Sequence, residues 1–321
     1  MSQTPSPSDL LAAARIAVNQ CLGAKNGEKL LVLTDEPLRP IGYAFFEAGR
    51  EAGCEAILCE ILPRRNSGEP APEPIPDFWR RFDLFLAPTS RSLTHTKARK
   101  EASEAGVRGA TLPGISPDTM ARCLSADYRE IARRSDKLAA ILTQGRSARV
   151  TTPAGTDITL SIEGRTAIAD TGLLTGRGAF GNLPAGEAFL APVEGASEGI
   201  IVVDGSVGDS GALTEPITLV VEAGYVTDVR GSKAEQLKRL LDPHGRDAYS
   251  IAELGVGTNE KARIIGNVLE DEKVLGTVHI AIGNNAFMGG RVDVPSHHDG
   301  VLRSPDLFID GVAVMRAGQL L

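Results

Sequence analysis

The residues best suited to chemistry lie in one stretch, between Tyr249 and Asp299. Three of the five histidines of the chain, His279, His297 and His298, fall within it. His297 and Asp299 form an H-x-D pair, and residues two apart in an extended segment project to the same side. Imidazole nitrogen and carboxylate oxygen, without sulfur, favour a divalent ion such as Zn, Mn, Co or Fe(II). The pair is therefore a candidate half of a metal site.

Three further residues are candidates to complete this site. His279 opens HIAIG and Glu253 opens ELGVG, each within an alternating apolar run that ends at glycine, as strands do. Glu187 lies in NLPAGEAFLAP, where proline and glycine indicate a turn into a strand. The residues alone leave an alternative open, in which His279 is a hydrogen-bonded core histidine and both glutamates are ordinary surface or edge carboxylates.

The pattern of apolar residues in the N-terminal half predicts the first of two domains. Helical spacing over residues 9–22 is followed by the apolar strand KLLVLTD, an amphipathic helix that stops at Gly53, and the strand CEAILCEIL. Strand, helix and strand with short joints form a βαβ unit, so we expect an α/β domain with a parallel sheet over residues 1–145.

After Gly145 the pattern changes to alternation of apolar and polar residues with glycine-containing turns. This pattern predicts a strand-rich α+β domain over residues 146–321, with helices near 232–241 and 267–275, and this domain carries the metal residues. The acidic residues Glu270 and Asp271 fit the start of the second helix, because a helix N-terminus favours negative charge. Glu272 is a candidate to orient a ligand, but a solvated helix face is the preferred interpretation.

Composition limits the partners. A formal charge of −7 and a pI near 5.4 argue against binding to nucleic acid. No apolar run reaches the roughly 18 residues needed to span a bilayer, so no membrane partner is expected. The N-terminus does not resemble a signal peptide, and the four cysteines are scattered without a C-x-x-C pair. We therefore expect reduced thiols and a cytoplasmic location.

The motifs around these residues resemble those of the thermophilic-type metallo-aminopeptidases, the leucyl aminopeptidase and aminopeptidase T family. NLPAGEAFLAP is similar to that family's N-x-P-x-x-E-x-F-x-A-P, AELGVG to G-E-x-A-L-V, HIAIG to H-x-A-L-G, and HHD to H-x-D. The resemblance covers most of the chain, and the four motifs occur in the family's order. It implies metal ligation by the five residues Glu187, Glu253, His279, His297 and Asp299, and it implies a homodimer.

The chain departs from that family at one ligand. The family has a metal-binding tyrosine seven residues after the histidine of H-x-A-L-G, where this chain has Ala286 followed by Phe287. Tyr249 and Tyr225 are candidates to replace the missing phenol in space.

The same superfamily includes the 2,5-dihydroxypyridine 5,6-dioxygenases, which are similar in fold and length and use one Fe(II) held by two histidines and one aspartate. Their pattern has histidine at the position of Glu253 and an apolar residue at that of Glu187. Because this chain retains both carboxylates, the resemblance favours the hydrolytic branch, although its length agrees better with the dioxygenases.

The sequence therefore predicts a metallohydrolase, an aminopeptidase-like amidase or metalloprotease, that cleaves a small amide or short peptide with metal-activated water. One or two ions would be held by the five implied ligands, with Glu187 and Glu253 also acting in catalysis. His298 is a further catalytic candidate, although an extended segment turns it away from its neighbours. Two alternatives stay open: a mononuclear Fe(II) ring-cleavage dioxygenase acting on a hydroxylated pyridine, and a non-catalytic metal-binding homologue.

Overall fold

The computed structural model describes residues 4–208 and 211–321. In chain order the helices are α1 (Pro7–Ile16), α2 (Arg39–Glu51), α3 (Ile75–Trp79), α4 (Lys97–Glu104), α5 (Pro117–Cys123), α6 (Tyr128–Gln144), α7 (Ala234–Leu241) and α8 (Val268–Asp271). The strands are β1 (Lys29–Asp35), β2 (Glu55–Ile61), β3 (Leu84–Ala87), β4 (Arg108–Thr111), β5 (Ser147–Thr151), β6 (Asp157–Ser161), β7 (Ile168–Asp170), β8 (Phe180–Asn182), β9 (Glu187–Leu190), β10 (Ser197–Val203), β11 (Ile217–Glu222), β12 (Tyr225–Arg230), β13 (Ile251–Gly257), β14 (Val278–Gly283), β15 (His297–Leu302), β16 (Asp306–Ile309), β17 (Val312–Arg316) and β18 (Gln319–Leu320).

The chain divides into two compact units, each made of two segments. The first comprises Met1–Glu130 and Thr171–Ala185, and the second comprises Ile131–Asp170 and Gly186–Leu321. A domain boundary at residue 145 stays a prediction. Among the described residues, no helix combines the length and the apolar character required to cross a bilayer.

The first unit is built on a five-stranded parallel sheet in the order β2-β1-β3-β4-β8. Its interior strand β1 is buried along LLVLTD, as expected for a strand covered on both faces. Helix α2 packs closely on the sheet at Gly49, where a Cβ atom would lie only 2.4 Å from a methyl carbon of Leu30. The predicted α/β character of the N-terminal part is confirmed.

The second unit contains two antiparallel sheets. An eight-stranded sheet has the order β12-β11-β10-β6-β5-β16-β17-β18, and a five-stranded sheet has the order β15-β14-β13-β9-β7. One hydrophobic core takes side chains from both sheets, including Val150 and Leu160 of the first and Leu254 and Ile280 of the second. The predicted strand-rich C-terminal part is likewise confirmed.

Strand β14 shows how the sequence orients the five-stranded sheet. Val278, Ile280 and Ile282 belong to the core shared with the other sheet. Side chains alternate along a strand, so His279 and Ala281 project from the opposite face. The whole strand is buried, and that opposite face is therefore a covered polar surface within the unit.

Candidate metal centre

Strand register brings all five predicted metal ligands onto one face of the five-stranded sheet. Glu187 of β9 pairs with Gly257 of β13, and His279 of β14 pairs with Gly255 of β13. In the next rows Ala281 pairs with both Glu253 and Asp299, and Gly283 pairs with His297. The positions between the candidate ligands on this face are thus glycine or alanine, which leaves room for the functional groups to converge.

Gly255 has a specific steric role in this arrangement. A Cβ atom on Gly255 would lie 1.9 Å from Nε2 of His279, so the imidazole ring lies directly over this glycine. The ring is fully buried, and the missing side chain at Gly255 lets it reach across the neighbouring strand. The glycine of the ELGVG motif is therefore part of the site.

The functional groups form two overlapping groups that share Glu253. In the first, Nε2 of His279 lies 3.2 Å from Oε2 of Glu187 and 3.4 Å from Oε1 of Glu253. In the second, Nε2 of His297 lies 3.2 Å from Oε2 of Glu253 and 3.6 Å from Oδ1 of Asp299. Within each group the ligand atoms lie within 4.8 Å of one another.

The tautomer of His297 is set by the backbone. Its Nδ1 atom lies 2.7 Å from the carbonyl oxygen of Asn284, and a carbonyl only accepts, so Nδ1 carries the proton. In the neutral ring Nε2 is then a lone-pair atom that faces two carboxylates. A histidine whose other nitrogen is fixed in this way is oriented as metal-binding histidines are.

The donor set fits a divalent cation. Within the described residues, Oε2 of Glu187 and Oδ1 of Asp299 are buried and accept no hydrogen bond of good geometry, although an imidazole Nε2 lies 3.2 Å from the first and 3.6 Å from the second. Burial opposes the charged form of His297, but the carboxylates of Asp299 and Glu253 outweigh it and raise its pKa well above its usual range. Burial likewise opposes the charged form of His279, but Glu187 and Glu253 raise its pKa. The site therefore attracts positive charge, either as protons or as a metal ion.

A lysine that sequence reasoning missed completes this face. The ammonium group of Lys273 donates to Oε1 of Glu187 at 2.6 Å and to Oε1 of Glu272, and it lies 3.7 Å from Oδ2 of Asp170. Its side chain is only 3% exposed. The acidic run just before Lys273 was the available signal, because buried acidic groups require partners.

The interpretation of Glu272 as part of a solvated helix face is wrong, because only 18% of its side chain is exposed and it binds Lys273. Helix α8 is only four residues long, and Glu270 and Asp271 are fully buried. Glu270 accepts a hydrogen bond from the backbone of Arg263, and Asp271 accepts from the amides of Ile265 and Gly266. These carboxylates hold the loop after β13 in place, and this loop carries Lys273.

The remaining candidates lie elsewhere. Among the described residues, neither metal-binding group includes His298, whose ring lies beside Gly208, where a Cβ atom would approach Nδ1 to 2.8 Å. Tyr249 donates its hydroxyl to Asp242 at 2.6 Å, and Tyr225 begins β12 in the eight-stranded sheet. A catalytic role for His298 stays a prediction.

Phe287, which follows the position of the missing tyrosine, lies next to the site. Its ring contacts that of His297 edge to face, with 5.4 Å between centroids, and 56% of the residue is exposed. An exposed aromatic ring therefore lies against a candidate metal ligand.

Comparison with known proteins gives matches of two kinds. A family model described as NicX, 2,5-dihydroxypyridine 5,6-dioxygenase, matches residues 10–321. A 2,5-dihydroxypyridine 5,6-dioxygenase of Pseudomonas putida KT2440 is 28% identical over 248 residues, which cover 71% of this chain and 69% of the relative.

Two solved structures share the fold. The 2,5-dihydroxypyridine dioxygenase from Pseudomonas putida KT2440 superposes with a TM-score of 0.82 at 22% identity, covering 99% of this chain and 98% of the other. AmpT from Thermus thermophilus superposes with a TM-score of 0.71 at 19% identity, covering 98% and 99%. The resemblance to the 2,5-dihydroxypyridine 5,6-dioxygenases is thereby confirmed, and the likeness to AmpT is one of fold.

These matches overturn the expected activity. The prediction of a metallohydrolase, whether aminopeptidase, metalloprotease or amidase, is wrong, and so is the prediction of an amide or peptide substrate, because the family model and the curated relative are dioxygenases. The prediction was wrong because Glu187 and Glu253 were taken as evidence for a hydrolase. Glu187 is already bound by Lys273, so its presence does not indicate a two-metal hydrolase. The expectation of a divalent metal agrees with both the relatives and the donor set.

Proposed function

This chain belongs to the 2,5-dihydroxypyridine 5,6-dioxygenase family, and from that premise we propose that it is an iron-dependent dioxygenase that opens the ring of a dihydroxypyridine. The observation that carries the proposal is the family match over residues 10–321, which includes every residue of the candidate metal centre. In such a reaction both atoms of O2 enter the substrate while the bond between ring carbons 5 and 6 breaks. The ring supplies the four electrons, so no separate reductant is consumed.

We assign the iron to the group formed by Glu253, His297 and Asp299. One histidine and two carboxylates suit Fe(II), although the pattern differs from the usual two histidines and one carboxylate. When bound, the ion supplies the electron transfer that lets O2 react with an aromatic ring. The carbonyl of Asn284 keeps Nε2 of His297 available for this ion.

Other residues of the site hold a ligand in place and contact the substrate. Glu253 faces both imidazoles, with Oε1 toward His279 and Oε2 toward His297. Nε2 of His279 would therefore hold Oε1 of Glu253 in place, away from solvent. The exposed ring of Phe287 would contact the face or edge of the pyridine ring.

Oxygen consumption tests the proposal. The full chain is purified anaerobically, loaded with Fe(II) and mixed with 2,5-dihydroxypyridine in an oxygen electrode cell, and the product is analysed after reaction under 18O2. We expect one O2 consumed per substrate and two labelled oxygen atoms in the product. An iron-loaded chain that consumes no oxygen with any dihydroxypyridine would refute the proposal.

Matched histidine variants identify the site in the same assay. His297→Ala is expected to abolish oxygen consumption, whereas His244→Ala, in the turn Asp242–His244 outside the five-stranded sheet, is expected to retain it. Benzene-1,4-diol keeps the two hydroxyl groups but lacks the ring nitrogen. It therefore tests whether the nitrogen is recognised.

Location and assembly are part of the same proposal. In the part of the chain that the structure describes, all four cysteines are thiols rather than disulfides, which supports a reducing, cytoplasmic environment. The homodimer stays a prediction from the family resemblance. Sedimentation velocity of the full chain would measure it.

A further inference from the structure

The buried ammonium group of Lys273 lies among three carboxylates on the same side of the sheet as the candidate ligands. Glu187 and Asp170 occupy paired positions on the adjacent strands β9 and β7. The ammonium nitrogen of Lys273 lies 2.6 Å from Oε1 of Glu187 and 3.7 Å from Oδ2 of Asp170. It also binds the carboxylate of Glu272. With 3% of its side chain exposed, Lys273 is an internal cation rather than a surface lysine.

The backbone holds Lys273 firmly in this position. Its amide donates to the carbonyl of Glu270 at 3.0 Å, and its carbonyl accepts from the amide of Asn259 at 2.9 Å. Gly257 allows this approach, because a Cβ atom there would lie 2.8 Å from the carbonyl carbon of Lys273 and 2.1 Å from the carbonyl oxygen of Val274. The backbone of Lys273 is thus positioned by contacts that do not involve the side chains of the candidate metal ligands.

Charge divides the site into two halves. The half formed by Glu187, Glu253 and His279 has a fixed positive charge beside it, since Lys273 binds the Oε1 atom of Glu187. The half formed by Glu253, His297 and Asp299 has no lysine or arginine among its ion-pair partners in the described part of the chain. Lys273 also attracts Asp299 at longer range, but it repels a divalent ion most strongly at the first half, where it is in direct contact with Glu187.

We propose that Lys273 takes the place of a second metal ion beside Glu187. This chain would then bind a single divalent ion, at Glu253, His297 and Asp299. Glu187 then serves as the counter-ion of Lys273 instead of a metal ligand. The inference rests on the metal-dependent function proposed above and specifies how one ion is selected over two.

Metal stoichiometry tests this inference without oxygen or substrate. The metal-free full chain is titrated with Mn(II), and bound metal is measured by equilibrium dialysis with elemental analysis. We expect one ion per chain in the wild type. In Lys273→Met, which keeps the volume and removes the charge, three uncompensated carboxylates are expected to bind a second ion and to raise the stoichiometry to two.

Two carboxylate variants distinguish a metal ligand, Glu253, from the proposed counter-ion of Lys273, Glu187. Glu187→Gln is expected to retain one ion and to lose no more than about 10- to 100-fold in affinity, the range typical of residues outside the ligand set. Glu253→Gln is expected to lose more than 100-fold. The comparison stands even where Lys273→Met fails to fold.

Three results would overturn the inference. They are two ions per chain in the wild type, a single ion in a folded Lys273→Met variant, and an equal loss of affinity in Glu187→Gln and Glu253→Gln. A chain that binds one Mn(II) as expected but consumes no oxygen in its iron form would instead refute the proposed function alone.

Discussion

Substitution of Gly255 by alanine gives a stringent test of the site geometry. The new Cβ atom would lie 1.9 Å from Nε2 of His279, whereas ordinary contacts begin near 3.4 Å, so the ring must retreat by about 1.5 Å. Because the ring is fully buried, it has no solvent-filled space to enter. The backbone at Gly255 does not have the positive φ that disfavours alanine, so the effect arises from this collision.

The expected losses follow from the size of this displacement. Overpacking of a core typically costs about 1–3 kcal/mol, which corresponds to a melting temperature lower by about 2–12 °C for a unit of this size. Nε2 of His279 is 3.4 Å from Glu253, so moving the ring also disturbs a proposed iron ligand. Misplaced partners of ligands cost about 10- to 100-fold in metal affinity, and we expect a loss of this order for Mn(II).

The assay is thermal unfolding and Mn(II) titration of Gly255→Ala beside two comparison proteins. Gly176→Ala is the matched control, because its nearest foreign atom would be 3.9 Å away and its φ is also not positive. In a His279→Ala background the Gly255 substitution is expected to be nearly neutral, since the ring is gone. Wild-type stability and Mn(II) affinity in Gly255→Ala would refute the reasoning.

Three further predictions follow from other contacts. Removing bound metal with a chelator is expected to lower the melting temperature by about 5–10 °C relative to protein at 100 times its dissociation constant, and an unchanged temperature would argue against a metal site in the folded chain. Arg108 donates two hydrogen bonds to Glu28, at 3.0 and 2.7 Å, and these bonds are the main reason why the pKa of Glu28 is lowered from 4.5. Their contribution to stability is therefore present above pH 4.5 and is lost as the pH falls through the pKa of Glu28 in the folded protein. Glu28→Gln should therefore lower the free energy of unfolding, measured with urea, by about 1–3 kcal/mol at pH 7 and by progressively less as the pH falls below 4.5, and a loss that does not change with pH would contradict the ion pair. Phe287→Leu is expected to raise KM for a dihydroxypyridine about 2- to 13-fold with little change in kcat, from an aromatic contact of about 0.5–1.5 kcal/mol, and a fall in kcat alone would exclude this role.

Much of the fold follows from local patterns. The continuous apolar run of β1 and the amphipathic helix after it predict a parallel sheet, and the structure has one. In β14 the alternation of Val278, His279 and Ile280 determines that the histidine faces away from the core. The H-x-D spacing likewise puts His297 and Asp299 on one side of β15. These features need only the period of the strand, which the sequence contains.

The identity of the chemistry was not contained in these patterns. Glutamate, histidine and aspartate provide suitable donors for both a hydrolase and a dioxygenase, so the retained carboxylates led to the wrong class. Similarity over the whole chain, from residue 10 to 321, corrected this. Motifs of a few residues report the ligand types, whereas the reaction depends on everything that surrounds them.

The tertiary structure alone decided the partners of each charge. Lys273 and Glu187 are 86 positions apart, and an acidic run followed by lysine reads equally well as a solvated helix face. Only the register of β9, β13, β14 and β15, with Gly255 and Gly257 leaving space between them, converts separate motifs into one buried set of charges. Local sequence determines which way a side chain faces along its own strand. Burial and pairing across strands are set by long-range packing. They determine which carboxylate is already paired with a lysine, as Glu187 is with Lys273.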